Sequence, residues 1–445
     1  MKTLLKNAIL VNEESSQNGD LLIKNDRIEK IDSSISADQA NLIIDLHGKH
    51  LLPGLIDDQV HFRQPGYEHK ATIETESKAA LAGGITSYLE MPNTNPQTTT
   101  IDAWNQKYQI ASNSSYANYG FMFGGTNDNL EEIKSLDFRK VPALKLFLGS
   151  STGNMLVDNE TVLRKIFSHT PIRIALHCED ESTIQLNLRK AVHRFGNDIP
   201  IKMHPKIRNN EACLKSTKMA ISLAKETGAK IHIFHLSTSE EPELFTNEMP
   251  LHQKQITAEV CLHHLWFSEE DYAKKGAYIK WNPAIKSTDD RNALWKALND
   301  DRIDILATDH APHTKSEKSQ PYLNCPSGGP LVQHMLTGLL TCVKKGFLTL
   351  EKLVQKAAHN PAILFDISGR GFLREGYYAD LVAVDLNESW TVISRDLLYQ
   401  CQWSPFLGET FTGKVTHTLL NGHLVYSNGI VSENKVAQAL TFDRT

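Results

Sequence analysis

The chain has 445 residues, 40% of them hydrophobic and 22% charged, and a formal net charge of −5. That length exceeds one small core and suits a large barrel or two domains, and the composition is that of a water-soluble globular enzyme. The charge leaves no footprint for nucleic-acid binding, and the longest apolar runs fall far short of a membrane span.

The first 50 residues are short alternating runs, T-L-L-K-N-A-I-L-V, D-L-L-I-K-N-D-R-I-E-K-I and L-I-I-D-L-H-G-K-H. The opening residues mimic a signal peptide briefly. They lack a long apolar core and a small-residue cleavage site, so they are expected to form a strand. N-G at 18–19 and N-D at 25–26 are expected to be hairpin turns. The C-terminal end has the same texture, in A-D-L-V-A-V-D-L and G-K-V-T-H-T-L-L-N-G-H-L-V-Y-S-N-G. Two β-rich ends around a different middle predict one small β-sandwich domain, residues 1–52 plus 372–445, built from both termini.

The middle alternates strand-like and helix-like segments. Strands are expected at 85–91, 143–148, 173–178, 230–236, 255–261 and 303–310, with an apolar strand-like stretch at 50–56. The stretch 211–228 is expected to be a helix that stops at a glycine. Repeated β-α units over 53–371 point to a parallel sheet, with an α/β (β/α)₈ TIM-type barrel the commonest closed form at that size. Six cysteines, Cys178, Cys213, Cys261, Cys325, Cys342 and Cys401, form no C-x-x-C pair. They fit reduced thiols in the cytoplasm better than a disulfide framework or a structural zinc knot.

Polar and ionisable residues gather at the predicted strand ends: His61, Asn93, Lys145, His177, His235, Asn282 and Asp309. In a barrel those ends converge on one face, where active sites lie. Each has a bland reading. A lone histidine at a strand end is commonly a hydrogen-bonded core residue, Lys145 could snorkel, and Asp309 could cap a helix. Their order and shared placement favour the functional reading. A buried lysine loses its proton readily, and its neutral amine can add carbon dioxide to give a carbamate with two oxygens. A Lys145 carbamate could bridge two metals, one completed by His177 and His235 and the other by His61 and Asp309 with Gln59 or water. Such a pair can hold a hydroxide at neutral pH.

The motifs D-D-Q-V-H-F-R-Q-P-G, E-M-P-N-T, H-C-E-D, H-L-S-T, T-A-E-V-C-L-H-H-L, K-W-N-P-A-I-K, A-T-D-H-A-P-H-T and C-P-S-G-G resemble the amidohydrolase superfamily, and within it dihydroorotase. The C-terminal G-Y-Y-A-D-L-V-A-V-D and C-Q-W-S-P-F-L-G are similar to that family's tail, so the resemblance spans nearly the whole chain. It implies reversible cyclisation of N-carbamoyl-L-aspartate to L-dihydroorotate in pyrimidine synthesis. Metal-bound hydroxide would attack the ring carbonyl in the hydrolytic direction, with Asp309 as proton shuttle. It implies zinc, one or two per chain, held by His61, Lys145, His177, His235 and Asp309, and carbon dioxide to carbamylate Lys145. Arg63 and Asn93 would grip the substrate carboxylate; Asn282, His313, Ser327 and Gly328 would contact the rest. The partners expected are this small-molecule substrate and a second copy of the chain, as a dimer, with no nucleic acid and no membrane.

Gln59 departs from the family, which has a metal-ligand histidine there. Its amide oxygen could bind as a weaker ligand, that metal site could be partly empty, or the chain could be a non-catalytic homologue kept for assembly. Every other residue of the set is present, which favours an active enzyme with one altered ligand. Allantoinase shares the H-F-x-x-P-G segment, but allantoin has no carboxylate to attract Arg63, and hydantoinase-type substrates lack one too. A sugar- or cofactor-binding barrel has no phosphate-binding glycine loop in its support.

Overall fold

The computed structural model describes residues 1–149 and 155–444. Among the described residues, eight barrel strands follow one another in chain order. They are β1 (Leu55–Val60), β2 (Ile85–Glu90), β3 (Asn118–Phe121, resumed at Phe123–Gly124), β4 (Leu144–Phe147), β5 (Ile174–His177), β6 (Ile231–Ile233), β7 (Ile256–Cys261) and β8 (Ile305–Ala307). Each pairs in parallel with its neighbours. A parallel bridge from Val60 to His310 closes the ring. Every residue of β1 and β2 is buried, as expected of strands covered on both faces. The fold is a (β/α)₈ barrel with a sheet domain made by both termini.

The connecting helices show how local sequence sets their ends. Asn209 accepts the Ala212 amide and starts the helix Asn210–Thr227. Gly228, at φ +76°, stops it with a left-handed residue that a side chain would strain. Its buried residues Cys213, Ser216, Thr217, Ala220 and Ala224 recur at helical spacing and face the barrel.

Observed strands are shorter than the sequence predicts at their C-terminal ends. The expected strand 303–310 ends at Ala307, and 230–236 ends at Ile233. Asp309 has φ +47° and His235 has φ +41°, conformations that cannot continue a strand. The chain therefore turns where the side chains must aim into the barrel mouth.

Among the described residues, the other sheet has nine strands. Five come from the first 53 residues and four from Leu381 onward. The seam is an antiparallel pairing of His50–Pro53 with Leu381–Val384. The run 50–56 is thus two strands: it leaves this sheet at Pro53 and enters the barrel at Leu55. Asn25–Asp26 is a hairpin turn as expected, joining Ser15–Lys24 to Arg27–Asp32. Asn18–Gly19 is not a turn. It lies inside the strand Ser15–Lys24, with Gly19 opposite Ala8 where the register shifts. A Cβ at Gly19 would lie 3.0 Å from the Asp32 carbonyl and from Leu10, so close packing is why glycine stands there. The preceding turn is at Glu13 and Glu14, both at positive φ. We propose residues 1–52 plus 372–445 as one unit and 53–371 as the other. The last residues return to the barrel: Leu440 and Phe442 pack with Ile56, Leu89 and Phe365.

Candidate active site

The barrel mouth holds a small cavity, open to solvent, of about 60 Å³. Gln59, His61, Arg63, Asn93, His177, His235, Asn282, Asp309, Ser327 and Gly328 all line it. Lys145 lies fully buried on β4 and His313 sits behind Arg63. Residues 248 positions apart, His61 and Asp309, meet at 3.1 Å.

His61 is oriented by Asn93. Its Nδ1 donates to Asn93 Oδ1 at 2.8 Å, so Nε2 presents a lone pair to Asp309 Oδ1. Two acceptors face one another there, an arrangement that wants a proton or a cation between them. His177 is oriented likewise: Nε2 donates to Glu179 Oε2 at 2.9 Å, leaving Nδ1 free to point at His235 Nε2, 3.0 Å away. Glu179 is anchored by Arg208, and although burial opposes its ionisation, Arg208 and His177 hold its carboxyl near 2. Burial lowers the basicity of His61, His177 and His235, which keeps their rings neutral and able to bind a metal.

Among the described residues Lys145 Nζ has no hydrogen-bond partner, and it lies 3.9 Å from the Phe234 ring centre. Burial pulls its pKa from 10.5 to about 7, against the pull of Glu259 and Asp309. A neutral amine is therefore accessible near neutral pH, the form that adds carbon dioxide. Burial raises the Asp309 carboxyl to about 7, which suits a group that takes and returns a proton. The orphaned amine, the facing imidazoles and the carboxylate make a donor set that fits divalent metal.

Arg63, at φ +69°, is buried and forms no ion pair among the described residues. Its Nε donates to the Pro312 carbonyl at 3.0 Å. Lys70 donates to His313 Nδ1 at 3.1 Å, which puts the ring hydrogen on Nε2, where it goes to the Ser327 carbonyl at 2.9 Å. Arg63 Nη2, 3.1 Å from that same Nε2, thus faces a donor and gains no partner from it. Asn282 Oδ1 is a buried acceptor with no partner among the described residues. At Gly328 a Cβ would lie 2.5 Å from the Ala311 carbonyl, so this backbone wall closes against the neighbouring loop. Gln59 is buried with Oε1 3.8 Å from Cys261 Sγ.

Sequence reasoning missed Glu179, although it stands two residues after His177 in the quoted H-C-E-D. It also missed Asp58, His232 and Glu259, buried together in the barrel interior. Asp58 lies next to the altered Gln59, and a charged residue inside a barrel strand was the available signal.

The amidohydrolase family model matches residues 50–425. A dihydroorotase from Methanosarcina mazei is 33% identical over 415 residues, covering 91% of this chain and 90% of that one. A dihydroorotase from Lactococcus lactis is 34% identical over 435 residues, covering 96% and 99%. Among solved structures, the L-hydantoinase (dihydropyrimidinase) from Arthrobacter aurescens matches with TM-score 0.93 and 28% identity over 99% of both chains. A dihydropyrimidinase from Brevibacillus agri matches at 0.89 with 24% identity over 100% of both, a likeness of fold.

Proposed function

The chain belongs to the amidohydrolase family, and from that premise we propose that it interconverts N-carbamoyl-L-aspartate and L-dihydroorotate. The observation that carries this choice of substrate is Arg63. It is a buried guanidinium at the cavity wall without a carboxylate partner among the described residues. Burial lowers Arg63 to about 10 even with Asp309, Glu90 and Glu317 nearby, and a buried cation without a direct partner costs on the order of several kcal/mol, which favours an anionic group on the ligand. Dihydroorotate has that carboxylate; hydantoin and allantoin do not. The hydantoinase fold likeness does not weigh against this, because the curated relatives of higher identity are dihydroorotases.

His177, His235 and a carbamylated Lys145 would hold one zinc, and His61 with Asp309 the other. A bound metal supplies Lewis acidity and a water that ionises near neutral pH. The Asp309 carboxyl, through Oδ2, the oxygen not facing His61 Nε2, takes the proton of the attacking water and hands it to the ring nitrogen as the amide opens; in the other direction the same carboxyl serves ring closure. Arg63 fixes the substrate carboxylate through charged hydrogen bonds. Asn93 holds His61 and lines the wall beside Arg63. Asn282 Oδ1 suits a ring N–H, the His313 ring backs Arg63, and the Ser327–Gly328 backbone covers the ring. Gln59 leaves the His61 side one imidazole short, so the metal there is held more weakly. The reading includes a homodimer in the cytoplasm; six buried cysteines with free thiols are consistent with a reducing compartment. Among the described residues no helix is long and apolar enough to cross a membrane.

The test is turnover. Zinc-loaded protein should hydrolyse dihydroorotate and, at lower pH, cyclise carbamoyl-aspartate. No turnover of either, with allantoin or a hydantoin cleaved instead, would sink the reading. No cleavage of any of them would favour the non-catalytic alternative.

A further inference from the structure

Below the cavity, the barrel interior holds Asp58 from β1, His232 from β6 and Glu259 from β7, all with no exposure to solvent. Lys145, Ala175, His232 and Thr257 lie in one row across β4 to β7, and His177 stands two residues further up β5 than Ala175. His232 therefore sits one row below His177, while Glu259, two residues further up β7 than Thr257, stands level with it; none of the three side chains lines the cavity.

The hydrogen atoms in this cluster can be placed. Thr257 Oγ1 spends its hydrogen on the Ile231 carbonyl at 3.1 Å and accepts from Arg173 at 3.2 Å. It must then also accept from His232 Nδ1, 2.9 Å away, so the ring hydrogen is on Nδ1. His232 Nε2 is left as a bare lone pair. It points at Asp58 Oδ2, 3.4 Å away, and at Glu259 Oε2, 3.5 Å away. Glu259 Oε1 is occupied by the His235 amide at 3.2 Å, so Oε2 is the oxygen left for this centre. Neither oxygen of Asp58, nor Glu259 Oε2, nor His232 Nε2 has a hydrogen-bond partner among the described residues. Three buried acceptors converge, and among the described residues the one donor that can stand between them is a proton shared by Asp58 and Glu259; with both carboxyls ionised the arrangement repels itself unless a cation sits at its centre.

We propose that Asp58, His232 and Glu259 bind a divalent transition cation, zinc foremost, at a structural site separate from the cavity. The spacing fits: donors on a tetrahedral zinc stand about 3.3–3.4 Å apart, given bonds of about 2.0–2.1 Å. One imidazole and two carboxylates are a ligand set zinc accepts, and its charge cancels that of the two carboxylates. Thr257, holding Nδ1, orients the imidazole as outer partners do at metal sites. The ion ties β1 to β6 and β7 across the barrel interior. Under the carbamate reading of Lys145, a further negative charge forms near Asp58 and Glu259, which increases the need for a cation among them. The acceptor geometry stands without that reading.

The experiment uses crystals of the full-length, zinc-loaded protein measured on both sides of the zinc absorption edge, with zinc content per chain measured in solution. A wild-type anomalous peak between the three side chains is expected, and Asp58→Asn and Glu259→Gln should each contain one zinc fewer per chain. If both variants fail to fold, the wild-type map decides. Zinc at His177 and His235 with none in the cluster would overturn the proposal and leave a proton shared by the two carboxyls. Unchanged zinc content in folded variants would overturn it too. A cluster peak in a protein that does not turn over dihydroorotate would uphold this site and overturn the functional reading.

Discussion

Replacing Lys145 with methionine should abolish activity and yet make the metal-free protein more stable at mildly acidic pH. The magnitude follows from burial. Desolvation brings the amine from 10.5 to about 7, net of the attraction of Glu259 and Asp309. At about 1.36 kcal/mol per pH unit, that drop corresponds to about 5 kcal/mol of penalty for holding the charged form inside the barrel. Between pH 7 and 10.5 the unfolded chain keeps a proton on Lys145 that the folded chain has released. Stability from this group therefore rises with pH across that window, and the penalty is complete below pH 7. Lys145→Met removes it while keeping a side chain of similar length against Phe234. Urea denaturation of metal-free, bicarbonate-free protein should show the variant ahead at pH 6 by a few kcal/mol, with about 5 as the upper bound. The gap should close as pH approaches 10. Zinc with bicarbonate should reverse the order, because a ligand at a thousandfold its Kd adds about 4 kcal/mol to the protein able to bind it. A variant no more stable than wild type at pH 6, or a gap that widens with pH, would refute the argument.

Asp309→Asn should lose about 10²–10⁴-fold or more in kcat, the share general acid–base catalysis supplies, while keeping zinc on His177 and His235; a metal-loaded variant with most of its activity would show the role is misassigned. Burial raises Asp309 to about 7 in the metal-free protein, and zinc beside the carboxylate lowers it, so hydrolysis by zinc-loaded wild type should fall on an acidic limb below pH 7, because a protonated carboxyl cannot accept the water's proton. The pH–rate profile checks this, and Asp309→Asn should lack that acidic limb. Arg63→Met should raise KM for dihydroorotate by about 10–150-fold, equivalent to about 1.5–3 kcal/mol for a lost charged hydrogen bond; unchanged KM and kcat would place the substrate carboxylate elsewhere. Gln59→His should tighten the zinc on the His61 side, so that a mild chelator no longer strips it first, since imidazole binds zinc better than a neutral amide oxygen. Equal tightness at both cavity positions in wild type, unaltered by the substitution, would mean that position 59 is no ligand.

The sequence by itself determined the barrel and the terminal sheet. Alternating apolar segments at regular spacing leave few ways to bury their faces, and pairs such as Asn209 with Gly228 mark helix ends locally. It also marked the candidate residues, since His61, His177, His235 and Asp309 stand at strand ends where a parallel barrel gathers polar groups. Only the tertiary structure decided what those residues do to one another. That Asn18–Gly19 is a close-packed strand position, and no turn, depends on Asp32 and Leu10 across the sheet. That Arg63 Nη2 gains no acceptor from His313 depends on the ring's tautomer, which Lys70 selects. That Asp58 meets His232 and Glu259 depends on strands 174 and 27 residues apart being rolled against each other. Local pattern specifies elements because backbone hydrogen bonding and amphipathic burial are short-range. Charge, protonation and ligand geometry are set by neighbours that only the closed barrel brings within a few ångströms.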